Sequence, residues 1–389
     1  MATTTPNFGW TVPTSSDLVK NGAVAIETLG DSIDASMAEL KGGTTGQVLS
    51  KTSNTDMDFT WTTASGGSSY VAGKNAFYNS AFDIWQRGTS SIGTAYNYTA
   101  DRWLNFRSAF SAGATFSRVA STQTGFQYAL KSQRDLVNAN TDTLHLRQAL
   151  ETTDSLRFAG QTVTISFYAK AGANFSSGSS ILISTIYAGE GTDQAANNMT
   201  AWTGVSGYNQ NNTLTTSWQR FTQTQAIGST KTQIGLAFTY NPTGIAGADD
   251  SYQITGVQIE TAATASGFSR QAGSIQGELA ACQRYYQRLS GSFIFITEPS
   301  PAFSSGLVFA PFGSKTTFRA APSSVDFSGA LKLTDTVNEV TVTAILIDAS
   351  NVNRTSLRIE ASSGLTQFRP YALSPRADVN SYVGLSAEL

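Results

Sequence analysis

The chain has 389 residues, a formal net charge of −2 and charged side chains at only 13% of positions. That length exceeds one ordinary core and predicts two or three compact units of roughly 100–200 residues each. So weak a charge, with no Lys/Arg run, excludes the basic field that DNA or RNA binding requires.

Cys282 is the only cysteine, which excludes an internal disulfide framework and a cysteine-based zinc site. No run approaches the roughly 20 apolar residues of a bilayer-spanning helix, so no transmembrane segment is expected. Met1 to Gly9 carries neither a basic nor an apolar leader region, and the expectation is a chain made and folded in a cytoplasm. Frequent Gly, aromatic and uncharged polar residues predict a mainly β protein.

In chain order, residues 1–14 are polar with Phe8, Trp10 and Pro13, lack a helix or strand period, and read as a docking arm. Ser16 or Asp17 then opens a helix whose apolar positions are Val19, Ala23, Ile26, Leu29, Ile33, Met37 and Leu40, at three- and four-residue steps. Gly42-Gly43 stops it. One narrow stripe on so short a helix is marginal alone, which predicts a homotrimeric coiled coil through Ile26, Leu29, Ile33, Met37 and Leu40, against a helix packed on its own domain. Residues 44–69 read as a small β element, with Gln47–Ser50 and Phe59–Trp61, then a Gly/Ser linker at 65–69.

Beyond Tyr70 period-two alternation dominates. In 162–170, Val163, Ile165, Phe167 and Ala169 share one face, and similar strands follow at 144–150, 181–187, 218–225, 234–240 and 252–260. Tyr252 and Ile254 differ in parity from Val257 and Ile259, which predicts a β-bulge near Thr255-Gly256. Many short antiparallel strands without alternating helices predict a sandwich, specifically a jelly roll. A second helical patch, 278–286, places Leu279, Cys282 and Tyr286 on one face and links to strands at 293–296, 325–333, 340–347, 357–360 and 382–387, read as a smaller β-sandwich. The expected domains are therefore 1–43 (arm and short helix or coiled coil), 44–69 (β element and linker), 70–272 (jelly roll), 273–290 (linking helix) and 291–389 (C-terminal β-sandwich).

Three stretches carry a resemblance. Thr5-Pro-Asn-Phe-Gly-Trp10, Asp17-Leu-Val-Lys20 and Leu40-Lys-Gly-Gly-Thr-Thr-Gly-Gln-Val-Leu49 resemble the N-terminal region of tail-fibre and minor tail proteins of tailed phages. Asn79-Ser-Ala-Phe-Asp-Ile-Trp-Gln-Arg-Gly88 with Tyr98-Thr-Ala-Asp-Arg-Trp103 resembles the start of their carbohydrate-binding-module-like jelly roll. Gly256-Val-Gln-Ile-Glu260, Phe268-Ser-Arg270 and 278–286 resemble its closing strand and following helix, with Ser269 where that class often has an acid. The resemblance frames residues 1–290, and the ending 382–389 is similar to the ends of such proteins. It implies a tail-fibre or tail-tip receptor-binding protein of the virion, assembled in the host cytoplasm. It would dock to other virion proteins through Phe8 and Trp10 and adsorb to host surface glycan. The competing readings are a capsid-attached head fibre, decoration or connector protein without receptor binding, and a polysaccharide depolymerase.

The residues argue against catalysis. His145 is the only histidine and sits in a strand, and the G-x-S-x-G, H-E-x-x-H and P-loop motifs are absent. A carboxylate pair for glycoside hydrolysis leaves no linear motif, with Asp101, Asp249, Asp250 and Glu260 as candidates, yet the repeat period of a β-helical depolymerase is missing. Sugar binding needs aromatic faces beside planar polar groups. Trp85 and Trp103 read as core, with Arg87 or Arg102 pairing Asp101. Tyr96 and Tyr98 lie within that interval, and Trp202, Tyr208, Asn209 and Asn211 lie in a polar region read as a binding loop. Modules of this shape often hold a structural calcium ion, for which the resemblance offers Asp83 and Glu260, against a plain carboxylate pair. No other cofactor is expected.

Overall fold

The computed structural model describes residues 3–63, 72–290, 295–335, 337–375 and 380–389. The chain divides into two compact units, 1–69 and 70–389. The linker read at 65–69 lies outside the described residues, as do the first two residues of the strand read at 293–296.

In the first unit the polar arm folds back on itself. Thr3–Thr4 pairs antiparallel with Thr11–Val12, and the Phe8 ring stacks on Trp10 at 4.8 Å. A helix follows at Gly22–Met37, flanked by 3-10 turns at Val19–Asn21 and Ala38–Leu40. The chain turns extended at Lys41, with ψ 152, and just beyond it Gly43 has φ +79 and a Cβ there would stand 2.6 Å from the Trp61 ring. No residue of the helix is buried within the chain; Ile26 is 66% exposed and Met37 49%, while Leu29 and Ile33 are half-buried. The unit ends in a hairpin, Gln47–Lys51 against Phe59–Thr63.

The second unit begins with a β-sandwich. Its six-stranded sheet runs Gln219–Ala226, Thr162–Ala171, Ser251–Thr261, Tyr128–Arg134, Ala114–Ala120, Ser90–Ile92. Its five-stranded sheet runs Ser206–Thr213, Ile181–Gly189, Gln233–Tyr240, Leu144–Ala149, Leu104–Arg107. Every pairing is antiparallel. Val163, Ile165 and Phe167 from the first sheet meet Leu144, Leu146, Ile186, Leu236 and Phe238 from the second, and Trp103 fills the gap between them. This is the expected jelly-roll type of sandwich. The parity break is a bulge: the pairing of 162–171 with 251–261 shifts between Ser166 and Tyr168, opposite Gly256, whose φ is +63.

Two local readings change. Tyr208, Asn209 and Asn211, read as part of a loop, lie on Ser206–Thr213, the edge strand of the five-stranded sheet. Its polarity comes from its position: Asn209 and Asn211 face solvent, and the buried Asn212 amide donates to the Leu182 carbonyl. The second helix spans Ile275–Gln283, and Tyr286 already belongs to a strand, Tyr286–Ser290. Ser274 caps the helix, accepting from the Gly277 N–H.

The C-terminal region contains a closed barrel, ordered Ser300–Ser304, Leu307–Phe312, Thr355–Ala361, Glu339–Ser350, Lys332–Thr334, Pro370–Ser374. A sandwich was expected over 291–389, and closure has a physical cause. Glu339–Ser350 shifts register twice against Thr355–Ala361, at Val342/Ala344 and Ile347/Ala349, and such irregularities bend a strand enough to close a sheet. Strand alternation looks the same in either architecture. A separate three-stranded sheet sets Tyr382–Ser386 between Tyr286–Ser290 and Ser324–Ser328, so the chain's last strand pairs with the strand leaving the sandwich.

Candidate functional site

Alternation along the five-stranded sheet commits one parity to the core and leaves the other facing outward. The register aligns the outward residues in rows: Asn211, Ile183, Thr239, His145 and Phe106 form one, and Asn209, Thr185, Ala237, Arg147 and Leu104 the next. The second row is largely roofed. Arg147 Nη1 donates to the Asn197 carbonyl at 3.0 Å, and Met199, Trp202 and Leu389 pack over Leu104 and Ala149. The first row is more open: Asn211 is exposed, Ile183, Thr239 and His145 are half-buried, and Phe106 at its end is buried.

Aromatic rings wall the open row at one end. Tyr96 meets Phe106 and Phe110 edge-on, each at 4.9 Å, and both Tyr96 and Phe110 keep more than 40% of their surface exposed. The His145 ring stacks on Phe106 at 4.7 Å, and the Arg147 guanidinium lies 4.9 Å from the same ring. At the opposite edge Asn209 and Asn211 present amides, and Asn209 accepts a hydrogen bond from the Thr185 hydroxyl at 2.7 Å. Four strand spacings of about 4.8 Å make the floor between these walls roughly 19 Å wide.

The electrostatics are those of a nearly neutral surface. Burial, and then the neighbouring Arg147 charge, pulls the His145 imidazole down to about 3. The ring is therefore uncharged near pH 7. Burial also lowers the Arg147 guanidinium, whose Nε is buried without a partner among the described residues. Rings, amides and hydroxyls can hold the apolar and hydroxylated faces of a pyranose, whereas a stacked neutral imidazole beside a cation lacks the nucleophile and carboxylate of a triad.

The residues singled out from the sequence separate. Tyr96, Asn209 and Asn211 border the open row. Tyr208 lies against the sandwich core, and Tyr98 is half-buried with its hydroxyl donating to the Leu389 carbonyl at 3.1 Å. Trp202 is buried under the roof, its indole N–H donating to the Ala195 carbonyl at 3.0 Å. Phe106, Phe110, Ile183, Thr239 and, as a binding residue, His145 were missed. The signal for three of them was parity, since Ile183, His145 and Thr239 alternate with core residues Leu182, Leu144, Leu146 and Phe238.

Asp83 and Glu260 do not fit a calcium cage. Asp83 accepts from Arg270 at 2.7 Å, while Glu260 accepts from the Ser266 hydroxyl and pairs with Lys74 at 3.6 Å. Each carboxylate is committed to a cation of the chain, and calcium takes six or more oxygens. Among the described residues no group of three or more His, Cys, Asp or Glu could hold a metal.

The Trp85 to Trp103 interval serves the junction with the C-terminal region. Trp103 is fully buried and Trp85 half-buried. Arg87 lies 3.6 Å from the centre of the Tyr286 ring and pairs with Glu388 at 3.2 Å. Arg102 stacks at the same distance on Tyr285, donates to the Ala149 carbonyl at 2.8 Å and also pairs with Glu388. The expected arginine pair with Asp101 is thus replaced by Glu388. Asp101 instead accepts from the Gln86 backbone at 3.0 Å, and burial raises its carboxyl to about 6. Glu388 lies 286 positions from Arg102, so the local sequence gave no sign of it.

No family model and no curated protein matches the sequence. Solved structures do. The enzymatically active domain of bacteriophage CBA120 tailspike protein 4 aligns at TM-score 0.31 and 12% identity over 49% of this chain and 22% of that one. A CBM4 module aligns at TM-score 0.30 and 16% identity over 47% of this chain and 98% of that one. The CBM22-1 xylan-binding domain from Paenibacillus barcinonensis Xyn10C aligns at TM-score 0.30 and 15% identity over 50% and 98%. The chain spans about a fifth of the tailspike domain's length. At these scores the alignments say nothing of ligand or assembly; the sandwich rests on its own strand pairing.

Proposed function

We propose that this chain is a non-catalytic phage virion adhesin, of tail-fibre or tail-tip type, that binds neutral host-surface glycan on the open row of its five-stranded sheet. The observation that carries the reading is the uncharged floor between the Tyr96/Phe110 wall and the Asn209/Asn211 edge. Rings supply the surface that stacks on a sugar's C–H face, and amides and hydroxyls supply directional bonds. A neutral His145 supports binding over turnover, as does the pairing of Asp249, Asp250 and Glu260 with Lys131, Arg134 and Lys74.

The N-terminal unit supports multivalency. A helix with no fully buried residue, with Ile26 and Met37 exposed and Leu40 exposed just beyond it, is stabilised by packing against copies of itself, and we assign it to a homotrimeric coiled coil. The stacked Phe8 and Trp10 of the arm are assigned to virion docking. Three weak sites on one stalk gain by effective concentration, so millimolar-grade single sites suffice for adsorption.

The test is competition. Purified protein added to host cells is expected to block adsorption of the parent particle, and a Tyr96→Ala, Asn209→Ala variant to block far less. Equal blocking by both proteins would remove the open row from the account, and no blocking by the wild type would favour the head-fibre or connector role.

A further inference from the structure

A groove of about 390 Å³ lies where the start of the sandwich, the helix Ile275–Gln283 and the strand Tyr286–Ser290 come together, away from the open row. Its volume falls in the range of small-ligand sites. Trp85 and Leu279 supply its apolar wall, the latter 37% exposed, and none of its lining residues is Asp or Glu.

Two cations face it. Arg288 is fixed by stacking at 3.7 Å on the Tyr382 ring and by an Nη1 bond of 3.0 Å to the Gln86 carbonyl. Those contacts leave its Nη2 without a partner among the described residues. Lys315 Nζ reaches only the Arg288 carbonyl, at 3.3 Å. Among the described residues neither cation is paired with a carboxylate, although most of the chain's other buried or half-buried arginines near the sandwich are.

Gln283 is the second pointer. It lines the groove, is only 8% exposed, and its side-chain amide has no hydrogen-bond partner among the described residues. The residue is held by its packing while its amide stays accessible from the groove, free to donate to or accept from a ligand hydroxyl. The Ser290 hydroxyl completes the polar lining. Asp101, beneath Gln86, is fully covered and already accepts from that residue.

We infer that this groove binds a carboxylate-bearing pyranose, with its carboxylate on Lys315 and Arg288, its ring against Trp85, and a hydroxyl on Gln283. A carboxylate suits a paired ammonium and guanidinium, and an indole suits the C–H face of the same sugar. The site stands independently of the neutral-glycan reading of the open row, and the two fail separately.

The experiment is calorimetric titration of the full chain with oligogalacturonate and with sialyllactose, each against its neutral counterpart, methyl-esterified oligogalacturonate or lactose. The expected result is that at least one acidic sugar binds, about tenfold or more tighter than its neutral counterpart, and weakens as salt is raised. Lys315 is exposed, so Lys315→Glu and Lys315→Met are expected to fold; both should weaken the acidic sugar by about tenfold or more, the first more than the second. Tyr96→Ala should leave that binding unchanged. Which acidic sugar binds separates a uronate source from a sialylated one. The inference is overturned if neither acidic sugar binds, if acidic and neutral forms bind alike, or if both Lys315 variants bind as the wild type does.

Discussion

Arg102 and Glu388 pair across 286 positions of sequence, the guanidinium almost fully buried and stacked on Tyr285. The pair joins the turn before the strand Leu104–Arg107 to the last residues of the chain, and Arg87 reinforces it from the Tyr286 side. Glu388→Ala leaves two guanidiniums without their carboxylate. Removing one member of a buried pair costs about 3–5 kcal/mol, so the variant's urea midpoint should fall accordingly. A midpoint unchanged from wild type would show that this contact carries no stability.

His145 gives a pH test free of assignment problems, because it is the only histidine. Its folded value, about 3, lies below the ordinary imidazole value of about 6.5. The neutral ring therefore contributes stability that is fully present above about 6.5 and is lost as pH falls toward 3. Proton NMR of the folded protein should show its imidazole resonances stationary from pH 8 to pH 5. A titration centred near 6.5 would mean the ring is solvated and the row more polar than described.

The helix Gly22–Met37 predicts assembly. Ile26→Asp with Ile33→Asp places charge in the seam, where like charges from copies of the chain would meet without solvent. Analytical ultracentrifugation should show a trimer for the wild type and a monomer for the double variant, with sandwich circular dichroism retained. A wild-type monomer at every concentration would end the coiled-coil reading.

How much of this was legible in the sequence follows from the range of each signal. Period-two alternation is local, so the faces of 162–171 and the bulge at Gly256 could be read from a few residues. Where one strand reads as polar throughout, as 206–213 does, alternation fails, because inward positions are themselves amides held by hydrogen bonds, Asn212 to the Leu182 carbonyl and Gln210 to the Thr222 carbonyl. Barrel closure depends on register shifts between strands, which no single strand announces. Trp202 looked like an accessible ring in a polar region, and only the fold shows the segment from Ala196 turning it inward over Leu104. The open row was half legible: Tyr96, Asn209 and Asn211 could be named, but the floor joining them comes from strands distant in sequence.

The most direct measurement is titration of purified, neutral host-surface oligosaccharide into the wild type and into Tyr96→Ala, Phe110→Ala. Each stacked ring contributes on the order of 1 kcal/mol, so removing both should weaken binding by about tenfold or more while the fold is unchanged. Identical affinities for the two proteins would contradict the claim that this sheet face receives the glycan.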